Sequence, residues 1–207
     1  MKDKEKISSE SFNNINLRIS EMIEEISSKS IIPYDELPQY DLFLSQVKDY
    51  LNDKFDHDNF TNNILQNYIK SEVISKPEDG KKRGYTKLHL VQMVLLAYMR
   101  PVLTTDEIKE VFRLAFNEIN NRADDILSWE DSYKLFCHLQ KESFNIGFIE
   151  NKTQDKEALL KFLENYNFDE QEKERIIIFM TVMSLVAQAS NIKKLISKIV
   201  NEYGNKY

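Results

Sequence analysis

From Phe12 onward the apolar positions fall at Phe12, Ile15, Ile19, Met22 and Ile26, in alternating steps of three and four, with Ile23 beside them. That spacing is a two-heptad seam and predicts an amphipathic helix, docked either on the chain's own core or on a second copy. The first ten residues carry charges without an apolar stripe and read as frayed. Ile31-Ile32-Pro33 and Leu37-Pro38 then stop helices and favour extended chain. A second helix is predicted from about Tyr40 to Phe55, with Leu42, Phe43, Val47, Tyr50, Leu51 and Phe55 as its stripe.

Three further helix starts share one device, a threonine preceded by a bulky apolar residue that can close onto another inside the first turns. They are Phe60-Thr61 with Leu65, Tyr85-Thr86 with Leu90, and Leu103-Thr104 with Ile108, where Glu107 completes a capping box. Between the first two lies Ser75–Gly84. Pro77 cannot continue a helix, Asp79-Gly80 is a hairpin-turn dipeptide, and Gly84 permits a second bend. The pattern predicts a short two-stranded wing with Lys81, Lys82 and Arg83 at its tip. Beyond Thr104 the chain reads as helices over roughly 104–121, 128–144, 153–166 and 169–203. Asp169 and Glu172 cap the last, which is expected to break near Ser190-Asn191. Ile176–Val186 is apolar nearly all round and is expected to be the buried centre of a bundle.

The fold class that follows is mainly α. An N-terminal amphipathic arm occupies residues 1–30, a winged helix-turn-helix with a short β wing occupies 31–102, and a helical bundle for dimerisation or effector binding occupies 103–207. Four glycines and four prolines in 207 residues suit long helices rather than many strand turns. Cys137 is the only cysteine, which excludes an intrachain disulfide and a cysteine-rich zinc site and suits a reducing compartment. The start of the chain has no apolar signal-peptide core. The longest apolar run, Ile176–Ala187, falls short of the roughly 20 residues that cross a bilayer. A cytoplasmic protein without a membrane partner is expected.

Charge changes the picture in one place. The chain carries −6 overall, yet Thr61–Lys87 holds six bases and three acids, so this window is +3 and the remainder −9. Phosphates respond to charges within about a Debye length, roughly 8–10 Å, so a locally basic face can hold DNA on an acidic protein.

Within that window, Leu65 to Tyr68, Val73-Ile74, Pro77, Lys81–Arg83 and Tyr85-Thr86 resemble the MerR-like DNA-binding module. Ile32-Pro33-Tyr34, Leu37-Pro38 and Asp106-Glu107-Ile108 around it are similar to an uncharacterised family of bacterial proteins that carries such a module. The likeness covers about residues 31–112. It implies that the helix opened by Thr61 enters the major groove and that the wing touches backbone or minor groove. Two departures stand out: Gln66-Asn67 stand where such helices usually carry Arg and Tyr, and Glu72 stands where they usually carry Gly.

The residues support the same face on their own terms. On the helix opened by Thr61, Ile64, Leu65, Tyr68 and Ile69 fall on one side, and Asn62, Asn63, Gln66, Asn67 and Lys70 on the other. Asn and Gln can bond adenine in bidentate fashion, and Lys reaches guanine or phosphate. Tyr68, like Tyr85, is either a core aromatic or a phosphate donor. The candidate DNA contacts are therefore Asn62, Asn63, Gln66, Asn67, Tyr68, Lys70, Lys81, Lys82 and Arg83.

No enzyme is expected, and no cofactor or metal. His57, His89 and His138 lie in different elements, and Cys137 and His138 point about 100° apart on one helix. Asp124-Asp125 and the acids of 150–157 read as solvated charge. No phosphate-binding glycine loop, nucleophile elbow or zinc-protease helix is present. The expected function is a DNA-binding transcriptional regulator on double-stranded DNA, acting as a homodimer. The competing class is a protein-interaction module that keeps the scaffold and has lost DNA. A small-molecule effector among Phe144, Phe148, Phe162, Tyr166 and Phe179 is a further expectation, against the plainer reading that these are core.

Overall fold

Short-range hydrogen bonds set most of the helix starts in this computed structural model, which describes residues 2–29, 31–55, 59–77, 84–142 and 152–204, with residues 2–12, 28–29, 141–142 and 152–157 as backbone only. The wing tip Lys81–Arg83, His57, Phe144 and Phe148 lie outside the described residues. Eight α-helices are described: α1 (Lys2–Lys29), α2 (Leu44–Lys54), α3 (Asn62–Lys70), α4 (Lys87–Met99), α5 (Thr105–Phe116), α6 (Trp129–Glu142), α7 (Lys152–Glu164) and α8 (Glu170–Tyr203). There is no strand among the described residues. One antiparallel bridge joins Leu42 and Tyr85. The mainly α expectation holds; of the β wing expected over residues 75–85, the described residues 75–77 and 84–85 form no strand beyond the Tyr85 bridge, and 78–83 lie outside the described residues.

Thr61 accepts from the Ile64 N–H at 3.2 Å, and Thr104 and Glu107 close a reciprocal capping box. Ser128 and Asp169 cap α6 and α8 through Asp131 and Glu172. The hydrogen bonds from Thr104 also hold the Glu107 carboxyl below its ordinary pKa. Four expectations are corrected. Helix α1 runs from Lys2, because its Glu and Lys residues are good helix formers even without an apolar stripe. Helix α2 starts at Leu44 rather than Tyr40, because Leu42 is extended against Tyr85 (N···O 2.9 and 3.3 Å). Helix α5 stops at Phe116, where Asn117 turns to φ 38° and the Arg175 guanidinium takes the Arg113 and Leu114 carbonyls and the Asn117 side chain. Helix α8 does not break at Ser190-Asn191.

The chain divides into two compact units. The larger, Ile32–Ser190, holds α2 to α7 and the first part of α8, so residues 32–102 and 103–190 share one unit. Its centre is α4, where every residue from His89 to Met99 is buried. A chain of ring contacts, Phe55–Tyr98 (5.4 Å), Tyr98–Phe136 (5.3 Å) and Tyr133–Phe136 (6.2 Å), ties α4 to α2 and α6. A second knot joins α5, α6 and α8: Trp129 stacks on Phe116 at 3.4 Å, with Phe112 and Phe179 edge-on around the pair. The Tyr133 hydroxyl donates to the Ile32 carbonyl at 2.7 Å and fastens the entry segment to α6; burial pushes that phenol's pKa up. The entry segment is fastened again at Tyr34, whose hydroxyl donates to Glu130 at 3.0 Å.

Two sequence readings of charge and burial change here. Asp124 and Asp125 are half-buried rather than solvated, and desolvation, with Asp124 alongside, pushes the Asp125 carboxyl up to about 7. Helix α8 is not buried all round: Ile176, Phe179, Met180 and Met183 are covered, whereas Ile177, Ile178 and Leu185 are exposed. By length and composition α8 could cross a membrane, but less than half of its apolar window (44%) is covered by protein, so neither a buried core helix nor a lipid-facing one accounts for all of it.

The smaller unit, 1–31 with 191–207, pairs α1 antiparallel with the end of α8. Arg18 meets Glu202 at 3.0 Å, and Glu25 meets Lys198 at 2.7 Å. Met22 and Ile26 of the predicted seam are buried and Ile19 is half-buried. Ile15 is exposed, so the chain itself covers the seam from Ile19 onward.

Candidate nucleic-acid interface

Helix α3 is short, and its two faces differ as its sequence does. Leu65 is fully buried, Ile64, Tyr68 and Ile69 are half-buried, and Asn62, Asn63, Gln66, Asn67 and Lys70 are exposed. None of those five exposed side chains has a hydrogen bond or ion pair with the described residues. Four amides and one ammonium therefore project from one helix face with no bond spent on the described residues. An exposed amide that caps nothing and bridges nothing contributes little to folding, so the fold does not explain the composition of this face.

Several restraints hold α3 in place. The Asn52 side chain of α2 clamps the turn between the two helices, donating to the Phe60 carbonyl at 3.0 Å and accepting from the Phe60 N–H at 2.8 Å. Phe60 itself is buried, under the Arg100 guanidinium. At the far end, the Val73 N–H bonds the Tyr68 carbonyl at 2.9 Å and the Glu72 N–H bonds the Ile69 carbonyl at 3.0 Å. This is the paired bonding of a Schellman cap, and it places Glu72 in the left-handed region at φ 57°. A Cβ in that region costs free energy that glycine would not. Glu72→Gly is therefore expected to raise stability by about 0.5–1 kcal/mol, visible as a higher midpoint in urea unfolding at unchanged slope. A lower midpoint would mean that the Glu72–Lys76 ion pair (3.4 Å) outweighs the backbone strain; an exposed pair of this kind is ordinarily worth well under 1 kcal/mol.

The described residues on either side of 78–83 are anchored. On the α3 side, the Ser75 N–H and hydroxyl donate to Gln92 Oε1 at 3.0 and 2.8 Å, and the Lys76 N–H donates to Asn120 Oδ1 at 2.9 Å. His89 Nδ1 accepts the Thr86 N–H at 3.1 Å, which leaves the proton on Nε2 to be donated to the Lys76 carbonyl at 3.2 Å. On the other side, the bridge to Leu42 pins Tyr85, whose ring packs edge-on against the His89 ring. Tyr85 is half-buried, and burial pushes its phenol's pKa up. The described residues on either side of 78–83 are thus held in place, Ser75 and Lys76 by Gln92, Asn120 and His89, and Tyr85 by Leu42 and His89.

Of the candidate contacts, the structure brings Asn62, Asn63, Gln66, Asn67 and Lys70 together on one exposed face, with Tyr68 half-buried at its edge. Sequence reasoning missed Asn52, Gln92 and Asn120. Gln92 within the apolar run Leu90–Ala97 of α4 was the one available signal, and its Nε2 has no partner among the described residues. His89, set aside with the other histidines, serves as the third residue of a capping box. Among the described residues no group of three or more His, Cys, Asp or Glu could hold a metal.

Residues 32–136, about half of the chain, match the family described as Domain of unknown function (DUF1836). The chain is also similar to the uncharacterized protein YkrK of Bacillus subtilis (strain 168), at 27% identity over 136 residues, 59% of this chain and 56% of that protein. It therefore spans little more than half of that relative's length. No solved structure matches.

Proposed function

The chain belongs to the family described as Domain of unknown function (DUF1836), and from that starting point we propose that it is a sequence-specific DNA-binding transcriptional regulator with a MerR-like winged helix-turn-helix. The observation that carries the reading is the exposed amide face of α3, which makes no bond with the described residues and is held by the Asn52 clamp and the Schellman cap. Amides at Asn62, Gln66 and their neighbours suit adenine edges in the major groove, and Lys70 suits guanine or a phosphate. Lys81, Lys82 and Arg83 would neutralise flanking phosphates. Dimers commonly read two half-sites, which calls for a homodimer on a palindromic operator. The protein would work in the cytoplasm, and it needs neither cofactor nor catalysis.

Retention on immobilised mixed-sequence duplex DNA, followed as a function of salt, tests this. The regulator should bind at low salt and elute steeply, since each phosphate contact adds about 0.9 to the slope of log K against log salt. Lys81→Glu with Arg83→Glu should abolish retention while moving stability by no more than about 0.5 kcal/mol. A wild-type chain that flows through at 50 mM salt would favour the protein-interaction module, for which the net charge of −6 speaks. Retention unmoved by the double substitution would take the wing out of the mechanism.

A further inference from the structure

On α5, Lys109, Phe112, Arg113 and Phe116 share one face, in steps of three, one and three. The chain leaves the helix at Asn117, and Glu118 follows. Together with Glu72 and Val73 from the end of α3, these residues line a cleft of about 50 Å³ that lies wholly within the larger unit. Among the described residues two that are not glycine take a positive φ, Glu72 at 57° and Asn117 at 38°, and both stand on the walls of this cleft. Backbone strain of that kind gathers at ligand sites. Both walls are also fixed in advance, Glu72 by the Schellman cap and Asn117 by Arg175, which donates to its Oδ1 at 2.6 Å. A site set before its ligand arrives loses less in ordering when it binds.

Two charges in the cleft are unspent. Lys109 is half-buried and Glu118 is exposed, and neither side chain makes a hydrogen bond or ion pair with the other or with any described residue. Arg113 and Glu72 hold one exposed ion pair each, with Glu110 at 2.8 Å and with Lys76 at 3.4 Å. The lining therefore presents two cations and two carboxylates. A simple anion such as phosphate would meet Glu72 and Glu118, and a simple cation would meet Lys109 and Arg113. A metal ion would want a third side-chain ligand, and the described residues offer no group of three. A zwitterion answers both signs at once. The space decides its size: at roughly 10–15 Å³ for one water, the cleft holds about three or four, which suits glycine or alanine and leaves no room for a larger side chain.

We propose that this cleft binds a small free α-amino acid, of the size of glycine or alanine. The ligand carboxylate accepts from Lys109 and Arg113, and the ligand ammonium donates to Glu118 and Glu72. An alanine methyl falls to the apolar part of the lining, Val73, Phe112 and Phe116. The site goes beyond the regulator reading and does not depend on it. Glu72 and Val73 close α3, so occupancy bears on the end of the helix proposed to read DNA.

Amide NMR spectra of the full chain, titrated without DNA, read the result. Glycine and L-alanine are expected to move the amides of Val73 and of residues 109–119 along saturable curves, with a dissociation constant on the order of 1 mM. Acetate and methylammonium, each carrying one of the two charges, should bind at least about tenfold more weakly, and so should L-phenylalanine, which the cleft is too small to admit. Lys109→Met keeps the aliphatic stem and removes the charge. Glu118→Gln keeps the shape of an exposed side chain. Each should weaken glycine about tenfold or more while leaving the remaining amide positions unchanged. No saturable shift with glycine or L-alanine up to about 20 mM, some 20 times the expected constant, overturns the proposal. Acetate binding as tightly as glycine also overturns it, as does a glycine affinity that neither substitution moves. A chain that binds glycine here and ignores duplex DNA would sink the regulator reading and leave this site standing.

Discussion

Trp129→Ala is expected to lower stability by about 3–5 kcal/mol, the range for removing a large aromatic from a packed core. The indole is almost fully buried and stacked at 3.4 Å on Phe116, with Phe112 edge-on at 5.1 Å. Deleting it opens a cavity where α5, α6 and α8 meet, and Phe179 on the far side of Phe116 loses its backing. Rigid helices on three sides leave little room for collapse, so the upper half of that range is expected. A small domain's whole stability is about 5–15 kcal/mol, so the variant should sit near its unfolding threshold at 37 °C. Urea unfolding followed by far-ultraviolet circular dichroism measures the difference, because the only tryptophan that could report by fluorescence is the one removed. Trp129→Phe, which keeps a ring against Phe116, should recover more than half of the loss. A cost under 1 kcal/mol for the alanine variant would mean that the aromatic knot is not what joins these helices.

What the sequence revealed, and what it hid, follows from the range of each interaction. Caps are local. Thr61, Thr104, Ser128 and Asp169 each bond a group three residues ahead, so the starts of α3, α5, α6 and α8 could be read to within a residue. The two faces of α3 were legible for the same reason, since helical period alone sorts Leu65 from Gln66. The start of α2 was not, because the pairing that holds Leu42 extended comes from Tyr85, 43 positions away. The anchors of Ser75 and Lys76 were equally hidden: Gln92 and Asn120 lie 17 and 44 residues from the backbone groups they hold. Glu72 is an instructive intermediate. Its place at the end of α3 marked a position that prefers glycine, and the chain adopts the left-handed turn there despite carrying a Cβ. Helix α8 misled because hydrophobicity all round says that a helix wants covering without saying what covers each side. Met183 and Leu185 look alike in sequence, and only packing tells the buried one from the exposed one.

Substitutions on the exposed face of α3 should separate reading from holding. Asn62→Ala with Gln66→Ala removes two side chains able to pair with base edges, and a good bidentate pair is worth about 1–3 kcal/mol of discrimination against the wrong base. Lost together, they should cut affinity for the preferred operator by about 30-fold to more than 1000-fold. Binding to unrelated DNA, which rests on phosphate contacts, should stay within a few-fold of wild type. Lys70→Ala should do the reverse if its ammonium meets a phosphate, weakening all sequences alike and lowering the salt slope by about 1. Neither change should disturb the fold, because all three side chains are exposed and make no bond within the described residues; surface changes of this kind usually stay within about 0.5 kcal/mol. The operator is first recovered by selection from a random duplex pool, and affinities for operator and scrambled duplex are then measured by anisotropy at two salt concentrations. Should the double alanine variant lose affinity equally for both duplexes, or for neither, the amide face does not read bases, and some other element must carry specificity.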